Sequence, residues 1–134
     1  MTAYLLDTNI ASDAIQGKPA RVRERLVALA PHSVAVSVVT QGELMYGLRK
    51  KGSPAALSAL IHEFLIRVEV LPWTAEVANV YGTLRASCAE RGVSLSALDM
   101  MIAAHAVASG AVLVTRDKAF SHVKAGLKIE DWTR

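Results

Sequence analysis

At 134 residues, 52% hydrophobic and 20% charged, the chain fits one domain, residues 1–134, with an apolar core large enough to exclude any long disordered stretch. A single cysteine, Cys88, excludes an intrachain disulfide and a cysteine-built zinc site, and suits a small buried side chain in a reducing compartment. The formal charge of +3 selects no partner by itself, and the longest apolar stretch, Met100 to Ala108, is far too short to span a bilayer.

The amino terminus lacks the basic segment of a secretory signal, and Asp7 interrupts its apolar run, so a cytoplasmic protein is expected. Tyr4-Leu5-Leu6 predicts a short strand, closed by the polar trio Asp7-Thr8-Asn9. Val22, Leu26, Leu29 and Ala30 share one helical face. Val34 to Val39 is apolar and β-branched and predicts a second strand, with Thr40 opening the helix that follows. After the Lys51–Pro54 loop, Leu57, Leu60, Ile61, Phe64 and Leu65 define another helix. Val68 to Leu71 predicts a third strand, ended by Pro72, and Val77, Tyr81, Leu84 and Cys88 the helix after it. Residues 97–108 are apolar nearly all round, which predicts a central, buried helix; Gly92 and Gly110 each sit just past a helix end. Val112 to Val114 predicts a fourth strand and Leu127 to Ile129 an edge strand. Continuous rather than alternating apolar strands, separated by helices, predict an α/β fold with a mostly parallel central sheet of four to five strands flanked by helices.

Four acids stand at corresponding places in this pattern. Asp7 directly follows the first strand and Asp117 follows the fourth in Thr115-Arg116-Asp117, at the strand ends where open parallel sheets carry their binding crevice. Asn9 can cap the first helix, which leaves Asp7 free for function; Asp117 can equally be a turn or capping aspartate. Glu43 follows Thr40 by three residues and Asp99 follows Ser96 by three, so each also fits a capping box. Asp99, however, opens the most apolar helix of the chain, where a carboxylate is costly unless paired or bound to a cation. Four converging carboxylates would raise one another's pKa values, and a divalent cation removes that conflict. An all-oxygen set suits Mg²⁺ or Mn²⁺, which lowers the pKa of a bound water and polarises a phosphoryl oxygen. With four of the twelve acids in one site, fifteen Lys and Arg residues face eight acids elsewhere, a weak attraction for a polyanion. The histidines offer less: His105 lies about 120° round its helix from Asp99, and no pair has zinc-ligand spacing.

The segments L-L-D-T-N-I at 5–10, V-S-V-V-T-x-x-E-L-x-Y-G at 36–47, D-x-x-I-A-A-H-A at 99–106 and L-V-T-R-D-x-x-F at 113–120 resemble the PIN domain. More narrowly they resemble the VapC toxins of bacterial toxin–antitoxin pairs, as does the terminal G-L-K-I-E-D-W at 126–132. The resemblance implies a helix-flanked parallel sheet and metal-dependent RNA cleavage. It matches Asp7, Glu43 and Asp99 to the family's core acids, Asp117 to its more variable fourth position, and Thr8, Asn9 and Thr115 to supporting polar positions. It also implies a homodimer and a VapB-like antitoxin that blocks the acidic pocket, with a transfer RNA as one candidate substrate.

Two other readings compete on the residues alone. An aspartyl-phosphate switch also places acids at strand ends, but Asp7-Thr8-Asn9 lacks a second acid two residues on. A non-catalytic binding module would use the acids as caps. Trp73 and Trp132 suit packing anchors better than base-stacking platforms, and Arg85 and Arg91 suit solvent or a partner. Leu44, Met45, Leu48, Leu57 and Leu60 fit either a dimer or antitoxin contact or packing between their own helices.

Overall fold

The structure, a computed structural model, describes residues 2–134. Five parallel strands form one sheet: β1 (Tyr4–Leu6), β2 (Val34–Ser37), β3 (Glu69–Leu71), β4 (Val112–Val114) and β5 (Ile129–Glu130), in the order β3-β2-β1-β4-β5. Six helices connect them: α1 (Thr8–Gln16), α2 (Ala20–Ala28), α3 (Val38–Lys50), α4 (Ala55–Arg67), α5 (Ala75–Glu90) and α6 (Ala97–Ser109).

Successive strand side chains point to opposite faces, and here both faces are covered. Leu6, Val34, Val36 and Val114 join Ile10, Ala14 and Ile15 of α1, Leu26 of α2, Leu44 and Leu48 of α3, and Ile61 and Phe64 of α4 in one core. Leu5 and Leu113 point the other way, onto Leu84 and Cys88 of α5 and Met100, Ile102, Ala103 and Ala106 of α6. The inner strands β1, β2 and β4 therefore read as unbroken apolar runs because none of their positions is exposed, whereas the edge strands β3 and β5 each expose one residue, Glu69 and Ile129.

Several sequence expectations move. The second strand ends at Ser37, not Val39, because the Ser37 hydroxyl accepts a hydrogen bond from the Val39 amide at 3.1 Å and caps α3 there. Thr40 is consequently inside the first turn and caps nothing. Leu44 and Leu48 are core residues, while Met45 and Leu57 pack against that core, so of the five apolar residues on α3 and α4 only Leu60 is exposed, at 41%. Arg91 does not face outward freely: its guanidinium donates to the carbonyls of His122 and Val123 and ties α5 to the chain after β4. Trp132, Trp73 and Cys88 pack as expected. Gly110 takes φ 65 at the end of α6, a left-handed backbone that glycine enters without a Cβ clash. Among the described residues no helix is long and apolar enough to cross a membrane.

Candidate active site

The strand order reverses direction between β1 and β4: the chain builds outward from β1 to β3, then returns to lay β4 on the other side of β1. Crevices outside the carboxyl ends of strands at such a reversal are where open α/β sheets bind ligands. Asp7 follows β1 and Thr115-Arg116-Asp117 follows β4, so the fold brings these two segments to that place. Pairing continues beyond the strands: the Asp7 amide donates to the Val114 carbonyl at 3.0 Å.

Asp7 is the N-cap of α1, a duty the sequence pattern assigned to Asn9. Its Oδ1 accepts from the Ile10 amide at 2.8 Å and its Oδ2 from the Thr115 hydroxyl at 2.6 Å. Asn9 is instead an exposed residue of the first turn. Asp7 is only 4% exposed, and burial pushes its carboxyl above the usual carboxylate range. The two hydrogen bonds and the positive charge of Arg116 oppose that shift, while the Asp99 carboxylate adds to it. Asp7 and Asp99 therefore stand within electrostatic reach of one another.

Asp99 lies half-buried in the first turn of α6, where the Ser96 hydroxyl accepts from its amide at 3.1 Å. Half of the expected capping box is thus present, and it leaves the Asp99 carboxylate uncommitted to the cap. Glu43 forms no capping box with Thr40. Its Oε1 accepts from the Thr8 hydroxyl at 2.6 Å, and Thr8 and the buried Thr40 share a hydrogen bond at 3.1 Å. Thr8, Asn9 and Glu43 line one end of a groove between α1, α3 and α4 that runs to Lys51. Asp117 is exposed and caps the short turn at Lys118–His122, accepting from the Ala119 amide at 2.9 Å. Its own amide donates to the Thr115 hydroxyl at 3.0 Å, so Thr115 links Asp7 to Asp117.

The four acids are not gathered into one ligand cage: among the described residues no three His, Cys, Asp or Glu side chains are placed to hold a metal ion together. The chemistry of the donors nonetheless fits a hard divalent cation. A desolvated carboxylate, raised further by a neighbouring carboxylate, is relieved by a cation between them. His105 is not part of this set. It is buried against the Ser37 hydroxyl, 2.7 Å from its Nδ1, and edge-on to Trp73, and burial lowers its pKa. An ion pair absent from the sequence reading joins Arg116 to Asp13 on α1 and fastens the chain after β4 to the first helix. The two residues are 103 positions apart, and no local pattern announces them.

A PIN-domain family model matches residues 4–126. The chain belongs to the PIN-domain family, on its VapC ribonuclease branch. The "tRNA(fMet)-specific endonuclease VapC" of Shigella flexneri is 38% identical over 133 residues, spanning 99% of this chain and 100% of the relative. The crystal structure of DNA-bound VapBC from Salmonella typhimurium superposes with a TM-score of 0.90 at 35% identity, covering 98% of this chain and 99% of that one. VapBC-5 of Mycobacterium tuberculosis, described as a member of the VapBC family of toxin–antitoxin systems, superposes at 0.71 with 28% identity, covering 98% of each chain.

Proposed function

We propose that the protein is a divalent-metal-dependent endoribonuclease, the toxin of a toxin–antitoxin pair, using Mg²⁺ or Mn²⁺ to hydrolyse RNA phosphodiester bonds. The observation that carries the reading is Asp7: a buried carboxylate at the sheet's reversal point, held by two hydrogen bonds and opposed by Asp99. Asp7 and Asp99 would hold the principal ion, and Glu43 and Asp117 would complete its site through waters or a second ion. When bound, such an ion neutralises phosphate charge and lowers the pKa of a water.

The chain's own residues supply orientation. The Ile10 amide and the Thr115 hydroxyl fix the plane of the Asp7 carboxylate before any ligand arrives, and Thr8 does the same for Glu43. Asp117 commits one oxygen to its turn and keeps the other free. Asn9, exposed and lining the groove, would meet substrate there. The carboxylates near the attacked phosphorus can take the proton a water gives up.

The Shigella relative is named for a transfer RNA, and transfer RNA is the substrate class to try first. A VapB-like antitoxin, a homodimer and a cytoplasmic location complete the proposal. Total transfer RNA incubated with purified protein in Mg²⁺, in Mn²⁺ and in EDTA tests it, alongside Asp7→Asn and Asp99→Asn. Discrete cleavage that requires the metal and both acids is expected. Equal cleavage by folded acid variants, or in EDTA, sinks the assignment.

A further inference from the structure

The acids account for bond cleavage but not for what grips the nucleotide beside them. The chain has seven aromatic residues: two Trp, three Tyr and two Phe. Six are committed to the interior or to one another. Phe64, Phe120 and Trp132 are buried, Tyr4 packs edge-on to Trp132 at 5.4 Å, and Trp73 packs edge-on to Tyr81 at 6.1 Å. Tyr46 alone is exposed, at 67%.

Its surroundings are specific. Val39, Glu43, Tyr46 and Lys50 follow the i, i+4, i+7, i+11 spacing of one stripe along α3. Tyr46 therefore stands one turn from an acid of the site. The Lys50 ammonium lies 5.9 Å from the centre of the Tyr46 ring, and the neighbouring Arg49 and Lys51 are exposed. One turn before Tyr46, Gly42 has open space where a Cβ would be, so no side chain at that position walls off the ring. A ring this open gains little from folding. An open aromatic beside cations is the arrangement that binds single-stranded nucleic acid, the base on the ring and the phosphate on the charge. A second copy of this chain fits the patch less well, because one ring among charged groups is unlike the charge-depleted centre of a protein interface.

We infer that Tyr46 and Lys50 form a nucleotide subsite on α3, in which Tyr46 stacks an unpaired base of the RNA and Lys50 contacts an adjacent phosphate. The inference rests on the ribonuclease reading above. It places the substrate strand along α3, with the scissile phosphate near Glu43 and the stacked base one turn further on. It also requires an unstacked base, so the substrate would be a loop or single strand rather than a duplex.

The test compares wild type, Tyr46→Phe, Tyr46→Ala and Lys50→Met on total transfer RNA in Mg²⁺, reading KM and kcat separately, with sedimentation of each protein. Losing one stacked base should raise KM for Tyr46→Ala on the order of tenfold, with kcat within about twofold of wild type. Tyr46→Phe keeps the ring and should keep the wild-type KM. Lys50→Met should lower the salt dependence of log KM by about 0.7, one single-strand phosphate contact. An unchanged KM for Tyr46→Ala overturns the subsite, as does equal loss in Tyr46→Phe. Loss that accompanies conversion of a wild-type dimer to monomer assigns Tyr46 to a copy–copy contact and overturns it too. A wild-type protein that cuts no RNA removes the ribonuclease reading itself and the subsite with it.

Discussion

Replacing Thr115 by valine keeps the shape of the side chain and removes one hydroxyl, and that hydroxyl makes two bonds. It donates to Asp7 Oδ2 at 2.6 Å and accepts from the Asp117 amide at 3.0 Å. A hydrogen bond to a buried charge is worth about 1.5–3 kcal/mol, and a neutral one about 1 kcal/mol, part of which water restores at the half-buried Asp117 amide. Thr115→Val should therefore cost about 2–3 kcal/mol at neutral pH, with no cavity to add to it. The loss should depend on pH in a defined sense. The Thr115 bond favours ionised Asp7, so it stabilises the fold where Asp7 is charged and fades as pH falls through the Asp7 pKa, which burial holds above the usual carboxylate range. Removing the bond raises that pKa further, so the gap between wild type and variant should be widest near ~pH 8 and narrow towards ~pH 4. Urea denaturation at both pH values measures it, with Thr115→Ser as the variant that keeps the hydroxyl and the pH dependence. A gap of the same size at both pH values, or none at either, refutes the argument that this hydroxyl supports a charged Asp7.

Asp7→Asn should behave oppositely in stability. The folded protein holds the Asp7 proton more tightly than the unfolded chain does, so wild-type stability falls as pH rises from the ordinary carboxylate range through the raised folded pKa; the asparagine variant lacks that fall. At neutral pH in EDTA it should be at least as stable as wild type by chemical denaturation, and Mg²⁺ should raise the Tm of wild type alone. Gly17→Ala should cost about 1–2 kcal/mol in a thermal melt without lowering the cleavage rate per folded molecule. Gly17 sits at φ 74, and a Cβ there would lie 2.7 Å from the Arg23 guanidinium that caps the end of α1 on the Ala14 and Ile15 carbonyls.

The parallel α/β architecture is legible because its inner strands are buried on both faces and its helices carry the 3.6-residue pattern. The strand boundaries are less so. Val38 and Val39 have strong β propensity and join the preceding run in any local reading. What ends β2 is the Ser37 hydroxyl, a single hydrogen bond to the Val39 amide that turns the chain into α3 two residues early. The fate of the apolar residues on α3 and α4 is equally invisible locally, since Leu44 and Leu48 are core only because α1 and α4 pack over them. Strand order is the largest gap: nothing in the residues around Val112 states that β4 lands beside β1, yet that pairing brings Asp117 towards Asp7.

At the site, capping and function stand in the sequence as alternatives for each acid. Asp7 shows why that opposition fails. A carboxylate offers two oxygens and about four lone-pair positions, and an N-cap bond uses one of them. The Ile10 amide takes one position on Oδ1 and the Thr115 hydroxyl one on Oδ2, and lone pairs remain on both. Asp117 repeats the arrangement with the Ala119 amide. Capping is what makes such an acid usable: it holds a flexible side chain in one rotamer at the positive end of a helix, where ionised carboxylate is favoured against the cost of burial. The strand-to-helix junction thus supplies the position, the restraint and part of the electrostatic support at once. An acid that caps there is a stronger candidate for ligand binding than one free of structural duty, because only the restrained carboxylate has its geometry set before the ligand arrives.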